Sequence, residues 1–422
     1  MHDRPTEPGR TAAGRRGGDV GVNGNSARGS RFIFYANELI GLGQLRRTLA
    51  LATHLAKADP GPSSLILSGS PVEPTFRLPP RVDTVKLPLR SRDLDGNLSS
   101  ARLELSSDEL RSLRSSIALA ATTSFQPDVV VVDKLPLGQA GELEATLDAL
   151  KAASDCRLVL GLRDIEDSPE NVRHKWGPKM RAALARYYDA ILVYGPGSSP
   201  DAIDCIGGFD LDVPIHHVGY VGASMPDRGP DDLEPGYLLA TAGGGFDGFR
   251  LLATFAEAVR MRPLGCPAVM VTGPLMGGGE RRRLMRLTDG LDIRCTELRT
   301  DMESVIAGSR AVVSMAGYNT VAEVMRAGKP AILVPRVRPS EEQLIRADVL
   351  ATAGLQQMIH PAELSASRLR NAIDRLLRRE APRPRPDHYA GTERATRILA
   401  RLGGLDSAPA TAELETAAVR AG

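Results

Sequence analysis

The chain is short of the residues that most metal and redox sites are made from. Its 422 residues include only seven His, with one adjacent pair, His216 and His217, so a zinc site built on imidazoles has little to draw on. The four cysteines, Cys156, Cys205, Cys266 and Cys295, stand far apart with no C-x-x-C pair. That spacing is expected of free thiols in a reducing compartment, not of a disulfide framework. No apolar run approaches the eighteen or so residues of a membrane span. The first thirty residues are rich in Gly and Arg and lack the apolar segment of a signal peptide, even after Arg15-Arg16; a disordered extension of a cytoplasmic protein is expected. A formal charge of +2 is too small for a nucleic-acid footprint. The Arg-rich stretch from Arg368 to Arg385 reads as a solvated helix face, with peripheral membrane contact left open.

What is present is the composition of a soluble globular protein, 42% apolar and 25% charged, long enough for two cores. Short apolar runs such as "RFIFYA", "SLILSG", "PDVVVVD", "CRLVLGL" and "DAILVYG" alternate with helix-like stretches. Continuous apolar strands between amphipathic helices predict a parallel sheet covered on both faces. "ASMPDRGPDDLEPG" breaks the pattern, and a second alternation follows: "YLLATAGGG", "PAVMVTGP", "IRCTEL", "AVVSMAG", "AILVPR". The expected organisation is an extension (1–30), a first doubly wound domain (31–222), a linker (223–236), a second such domain (237–380), a helical segment (381–404) and a loose tail (405–422).

Each half places glycines after its first strand: "GLGQLRR" (Gly41 to Arg47) and "AGGGFDG" (Ala242 to Gly248). Such turns let backbone approach a ligand, and the helix that follows offers unpaired N–H groups to an anion. Gly243, Gly245 and Gly248 match G-x-G-x-x-G, but the next strand ends without the acidic residue that holds an adenosine ribose. In the first loop Arg46 occupies the third glycine's place. "AGKP" at Lys329 is not a P-loop, because no Ser or Thr follows the lysine.

The most informative stretch is "VVSMAGYNTVAEVMRAGKPAILVP", Val312 to Pro335. It reads as a strand, a glycine turn and a helix start. Thr320 to Glu323 fits a capping box, in which Glu323 satisfies a backbone N–H. Alternatively, Gly317 and Asn319 expose helix N–H groups to a diphosphate, and the Glu323 carboxylate accepts both hydroxyls of a ribose.

This stretch, with the "EEQ" that follows, resembles the nucleotide-sugar signature of GT-B glycosyltransferases, in particular glycosyltransferase family 28. "GLGQLRRTLALA", "PDVVVVDKLPLG" and "LGLRDIEDSP" resemble a bacterial group of predicted glycosyltransferases. The resemblance implies an α/β GT-B fold, two Rossmann-like domains facing a cleft. It implies that Glu323 holds the nucleotide ribose, that Gly317, Asn319 and Thr320, with Gly243, Gly244 and Gly245, receive the diphosphate, and that Met315 and Ala316 also bind the nucleotide. Glu342 and Gln343 stand where the family contacts the donor sugar, Glu342 replacing a glutamine.

Gly41, Leu42 and Gly43 would form the acceptor loop. Relatives carry a histidine after it as the favoured acceptor-activating base. Here the position is Gln44, which takes up no proton at neutral pH. Glu38, Asp133 and Asp164 are the candidate substitutes; the alternative for the two aspartates, at strand ends, is capping helices or pairing with Lys134 and Arg163. The expected activity is transfer of a sugar from a nucleoside diphosphate sugar, uridine-linked, to a hydroxyl acceptor. No cofactor is expected, and no metal, since no D-x-D triplet stands in a suitable place. The rivals are a sugar-nucleotide epimerase or hydrolase of the same fold and a nucleotide-binding protein without catalysis.

Overall fold

The computed structural model describes residues 29–36, 43–71, 75–92, 98–153, 155–197, 202–206, 213–380 and 386–405. Two parallel sheets organise them. The first runs, in spatial order, Val82–Lys86, Ser63–Ser68, Arg31–Ala36, Val129–Asp133, Arg157–Arg163, Ala190–Tyr194 and Ile215–His217. The second runs Ile293–Thr296, Ala268–Val271, Leu238–Thr241, Ala311–Ser314, Ala331–Leu333 and Gln357–Met358. Every pairing within both sheets is parallel. The expected α/β class with two doubly wound sheets is what the chain adopts.

Alternation along the strands divides each sheet into two covered faces. In the first, Ile33, Tyr35, Val130, Val132, Leu158 and Leu160 enter one core, while Phe32, Phe34, Val129, Val131 and Val159 enter the other. In the second, Leu238 and Ala240 face one core and Leu239 the other. An antiparallel ribbon, Arg90–Arg92 with Leu98–Ser100, sits outside this scheme. It leads to the helix Ser107–Phe125, which opens on a capping box between Ser106 and Glu109.

In both sheets the strand order reverses beside the first strand: Arg31–Ala36 neighbours Val129–Asp133, and Leu238–Thr241 neighbours Ala311–Ser314. Loops leaving such neighbours diverge to opposite sides and open a crevice at the carboxyl ends of the strands. Gly43 at the start of the helix Gly43–Leu55, the Gly243–Gly245 turn and Met315 to Thr320 therefore belong to the two crevices.

Residues 223–236 carry no helix or strand between Ile215–His217 and Leu238–Thr241. The helix Gly391–Leu402 then returns to the first half. Its Ala395, Leu399 and Ala400 pack with Phe32, Leu45 and Leu49, and Thr396 Oγ1 lies 2.8 Å from His54 Nδ1. Cys156, Cys266 and Cys295 are free thiols.

Charged side chains tie the halves together. Arg346 donates to both oxygens of Asp164, at 2.8 and 2.6 Å, and to the Ala316 carbonyl. Tyr318 accepts from the Val221 N–H at 2.8 Å, and its ring lies 5.0 Å from the Arg47 guanidinium and 5.8 Å from that of Arg346. Arg346 is 1% exposed, so removing its partner strands a buried charge. Asp164→Ala is expected to lower stability by about 3–5 kcal/mol, read as a lower urea midpoint; an unchanged midpoint would refute the bridging role.

Candidate functional site

A cleft of about 220 Å³ runs between the two sheets' crevices. Gly43, Arg46, Arg47 and Arg163 line it from the first half. From the second come Gly243 to Asp247, Met315, Gly317 to Thr320, Arg336, Glu342 and Gln343. The structure thus gathers residues separated by three hundred positions.

The second-half wall is built from two backbone turns. Gly243 and Gly245 have φ of +61° and +92°, and a Cβ on Gly245 would collide with the Thr272 carbonyl. Only glycine fits that approach. Beside this turn the helix Tyr318–Arg326 begins, with Gly317 as its N-cap and no side chain capping it. Its first intrahelical bond runs from the Val321 N–H to the Gly317 carbonyl, so the N–H groups of Tyr318, Asn319 and Thr320 have no partner within the helix. A Cβ on Gly317 would meet nothing within 4 Å, because that position faces the open cleft.

The helix start rules out the capping-box reading of Glu323. A capping box would need Thr320 at the N-cap, but Thr320 lies in the first turn and Glu323 a turn further in. The Glu323 carboxylate is not folded onto its own backbone. It is 5% exposed, is not among the cleft-lining residues, and its Oε1 is 2.7 Å from Arg46 Nη2. Oε2 is buried with no hydrogen-bond partner among the described residues. The same Arg46 nitrogen is 2.5 Å from Glu303 Oε1. Burial, only partly offset by Arg46 and reinforced by Glu303, pushes the Glu323 carboxyl up to about 7.

The other expected residues are placed as follows. Met315 lines the cleft; Ala316 is fully buried and gives its carbonyl to Arg346. Asn319 donates from Nδ2 to the Gly43 carbonyl at 3.2 Å across the cleft, and its Oδ1 is buried without a partner. Gln343 Oε1 accepts from the Arg336 N–H at 3.1 Å. Glu342 is buried between Arg163 and Arg336. Burial alone would raise its pKa, but Arg163, Arg346, Lys134 and Arg336 hold it below the usual value.

In the first half, the "GLGQLRR" stretch is not all loop: the helix Gly43–Leu55 starts at Gly43. Gln44 is half-buried in its first turn and is not among the cleft-lining residues. Glu38, Gly41 and Leu42 lie outside the described residues. Asp133 and Asp164 are ion-paired, though not with Lys134 and Arg163. Asp133 is held by Arg47 at 2.8 Å, and burial raises its pKa despite that partner. Asp164 belongs to Arg346. Arg163 turns instead to Glu166 and Glu342.

Sequence reasoning missed the arginines. Arg46, Arg47, Arg163 and Arg336 line the cleft, each pairing with carboxylates distant in sequence or on another element. The signal was there in "QLRR", a doubled arginine after a glycine turn, but nothing local says which acids it meets.

Residues 275–402 match the glycosyltransferase family 28 C-terminal domain. The chain is 30% identical over 174 residues to the UDP-N-acetylglucosamine--N-acetylmuramyl-(pentapeptide) pyrophosphoryl-undecaprenol N-acetylglucosamine transferase of Anaplasma marginale, covering 38% of this chain and 47% of that one. It thus spans about half the length of that curated relative. Among solved structures, the calicheamicin glycosyltransferase CalG4 superposes with a TM-score of 0.53 at 17% identity, over 89% of this chain and 95% of its own. The UDP-GlcNAc 2-epimerase of Neisseria meningitidis, bound to UDP-GlcNAc, also gives 0.53, at 12% identity over 89% and 99%. Together with the two parallel sheets these likenesses show the GT-B fold.

The raised Glu323 carboxyl has a measurable consequence. Its folded value lies above the ordinary 4.5, so the fold favours the protonated form. That contribution is complete below about pH 4.5 and is lost as pH rises through about 7. Relative to Glu323→Gln, the wild type is expected to lose about 3 kcal/mol between those limits, measured by urea unfolding at each pH. A difference that stays constant would show the carboxyl to be unshifted.

Proposed function

We propose that this protein, a glycosyltransferase of family 28 type by its C-terminal domain and its GT-B fold, moves a sugar from a nucleoside diphosphate donor to a hydroxyl acceptor. The donor occupies the second-half wall. Its diphosphate lies between the Gly243–Gly245 turn and the uncapped start of the Tyr318–Arg326 helix, where N–H groups and the helix dipole favour an anion. Its ribose diol meets Glu323, and its sugar extends toward Glu342 and Gln343. The observation that carries this reading is the buried, unpartnered Oε2 of Glu323 one turn inside that helix. A carboxylate oxygen out of water without a donor is costly, and a vicinal diol supplies donors. Uridine is the base we favour, because the matched relative is named for a UDP-linked donor.

As the bond to the anomeric carbon breaks, negative charge grows on the leaving diphosphate. Fixed N–H groups and the arginines of the cleft stabilise it without reorganising. We assign that task to the chain's own dipoles and cations in place of a metal. The acceptor enters against the first half. Of the three carboxylates considered for its activation, Asp133 and Asp164 are engaged by buried arginines, which leaves Glu38 as our candidate base.

Two experiments bear on this. In a thermal-shift panel, UDP and UDP-sugars are expected to raise the melting temperature while unrelated nucleotides do not. Loss of a charge-assisted hydrogen bond is worth about 1.5–3 kcal/mol, so Glu323→Ala is expected to raise the donor KM by about ten- to a hundredfold, with little change for acceptor. Equal effects on both substrates would refute the ribose assignment. Release of free sugar or an epimer with no acceptor present would favour hydrolase or epimerase chemistry, which the epimerase likeness keeps in view.

A further inference from the structure

We propose that Arg46 is a donor-site residue that changes partners, exchanging the Glu323 carboxylate for the donor's diphosphate as the ribose takes that carboxylate. The inference rests on the placement of the ribose at Glu323. It goes beyond that placement by giving the first half a direct role in holding the donor.

The cations of the cleft differ in what holds them. Arg47 belongs to Asp133, Arg299 to Asp232 and Asp301, Arg163 to Glu166 and Glu342, and Arg336 to Asp247 and Glu342. Arg46 alone among them is paired with the carboxylate that the ribose would claim. A single nitrogen, Nη2, makes both of its bonds, to Glu303 and to Glu323. The guanidinium can therefore give up Glu323 and stay anchored on Glu303.

Arg46 also has the right place. It lines the cleft and its Nη2 is 2.7 Å from the 5% exposed Glu323 carboxylate, so a diol that takes this carboxylate competes with the guanidinium for it. Gly43 begins the helix that carries Arg46, and a Cβ there would lie 3.9 Å from Asn319 Nδ2, at the uncapped helix start assigned to the diphosphate. Arg46 and this helix start line the same cleft, so a guanidinium released from Glu323 shares it with the phosphates. Hydroxyls satisfy the lone pairs of a carboxylate without a cation, and a diphosphate matches the planar fork of a guanidinium. The exchange leaves each group with a better partner.

The test compares uridine, which has the diol but no phosphate, with UDP, by calorimetric titration of the full chain carrying Arg46→Met, Arg46→Lys or Glu323→Gln. For Arg46→Met, UDP affinity is expected to fall at least tenfold while uridine affinity stays within about twofold or improves; Arg46→Lys, which keeps the charge, is expected to recover part of the UDP affinity. Equal losses for uridine and UDP would mean that Arg46 only holds the halves together, and unchanged UDP affinity would mean that it does not touch the diphosphate. Either result overturns the inference. Glu323→Gln separates the two assignments: if it weakens neither ligand, the ribose placement itself falls. If it weakens both while Arg46→Met behaves as wild type, only the exchange is lost.

Discussion

A helix that starts at the edge of a parallel sheet with no side chain to cap it has N–H groups that need an acceptor. Everything at the candidate site follows from this constraint at Gly317. The strand Ala311–Ser314 fixes where the helix begins, and parallel pairing fixes the direction it takes from the sheet. The Gly243–Gly245 turn approaches the same point because the neighbouring strand ends in register with it, Thr241 opposite Ser314. The N–H groups of Tyr318, Asn319 and Thr320, without partners inside the helix, come together at that point, while those of Gly243 and Gly245 donate within their own turn.

The second organising feature is the set of arginines spanning the halves. Buried ion pairs contribute little net stability, because desolvating both partners offsets their attraction. What they supply here is placement. Arg346 on Asp164, Arg163 on Glu342 and Arg46 on Glu303 and Glu323 each join one half to the other. The cleft geometry therefore depends on ion pairs that cross between the halves, some of them made by residues that also line the cleft.

Much of the fold could be read in advance because it is written in local patterns. Runs such as Val129–Asp133 are apolar throughout, as strands buried on both faces must be, and glycines mark the turns that follow. The second-half turns that line the cleft were legible for the same reason: each is a short local run of backbone, and Glu323 lies on the helix that Gly317 opens. The first-half site was harder. Asp133 and Asp164 look like available bases in sequence, and only the folded chain shows each engaged by an arginine distant in sequence.

The sequence by itself determined the two doubly wound sheets, the break between them and the helix start that faces the cleft, since each depends on neighbours a few residues apart. The tertiary structure alone decided which carboxylates meet which cations, that the helix Gly391–Leu402 returns to the first half, and that Arg46 meets Glu323. Those outcomes depend on long side chains meeting across the cleft, and no local spacing encodes the partner of a charge.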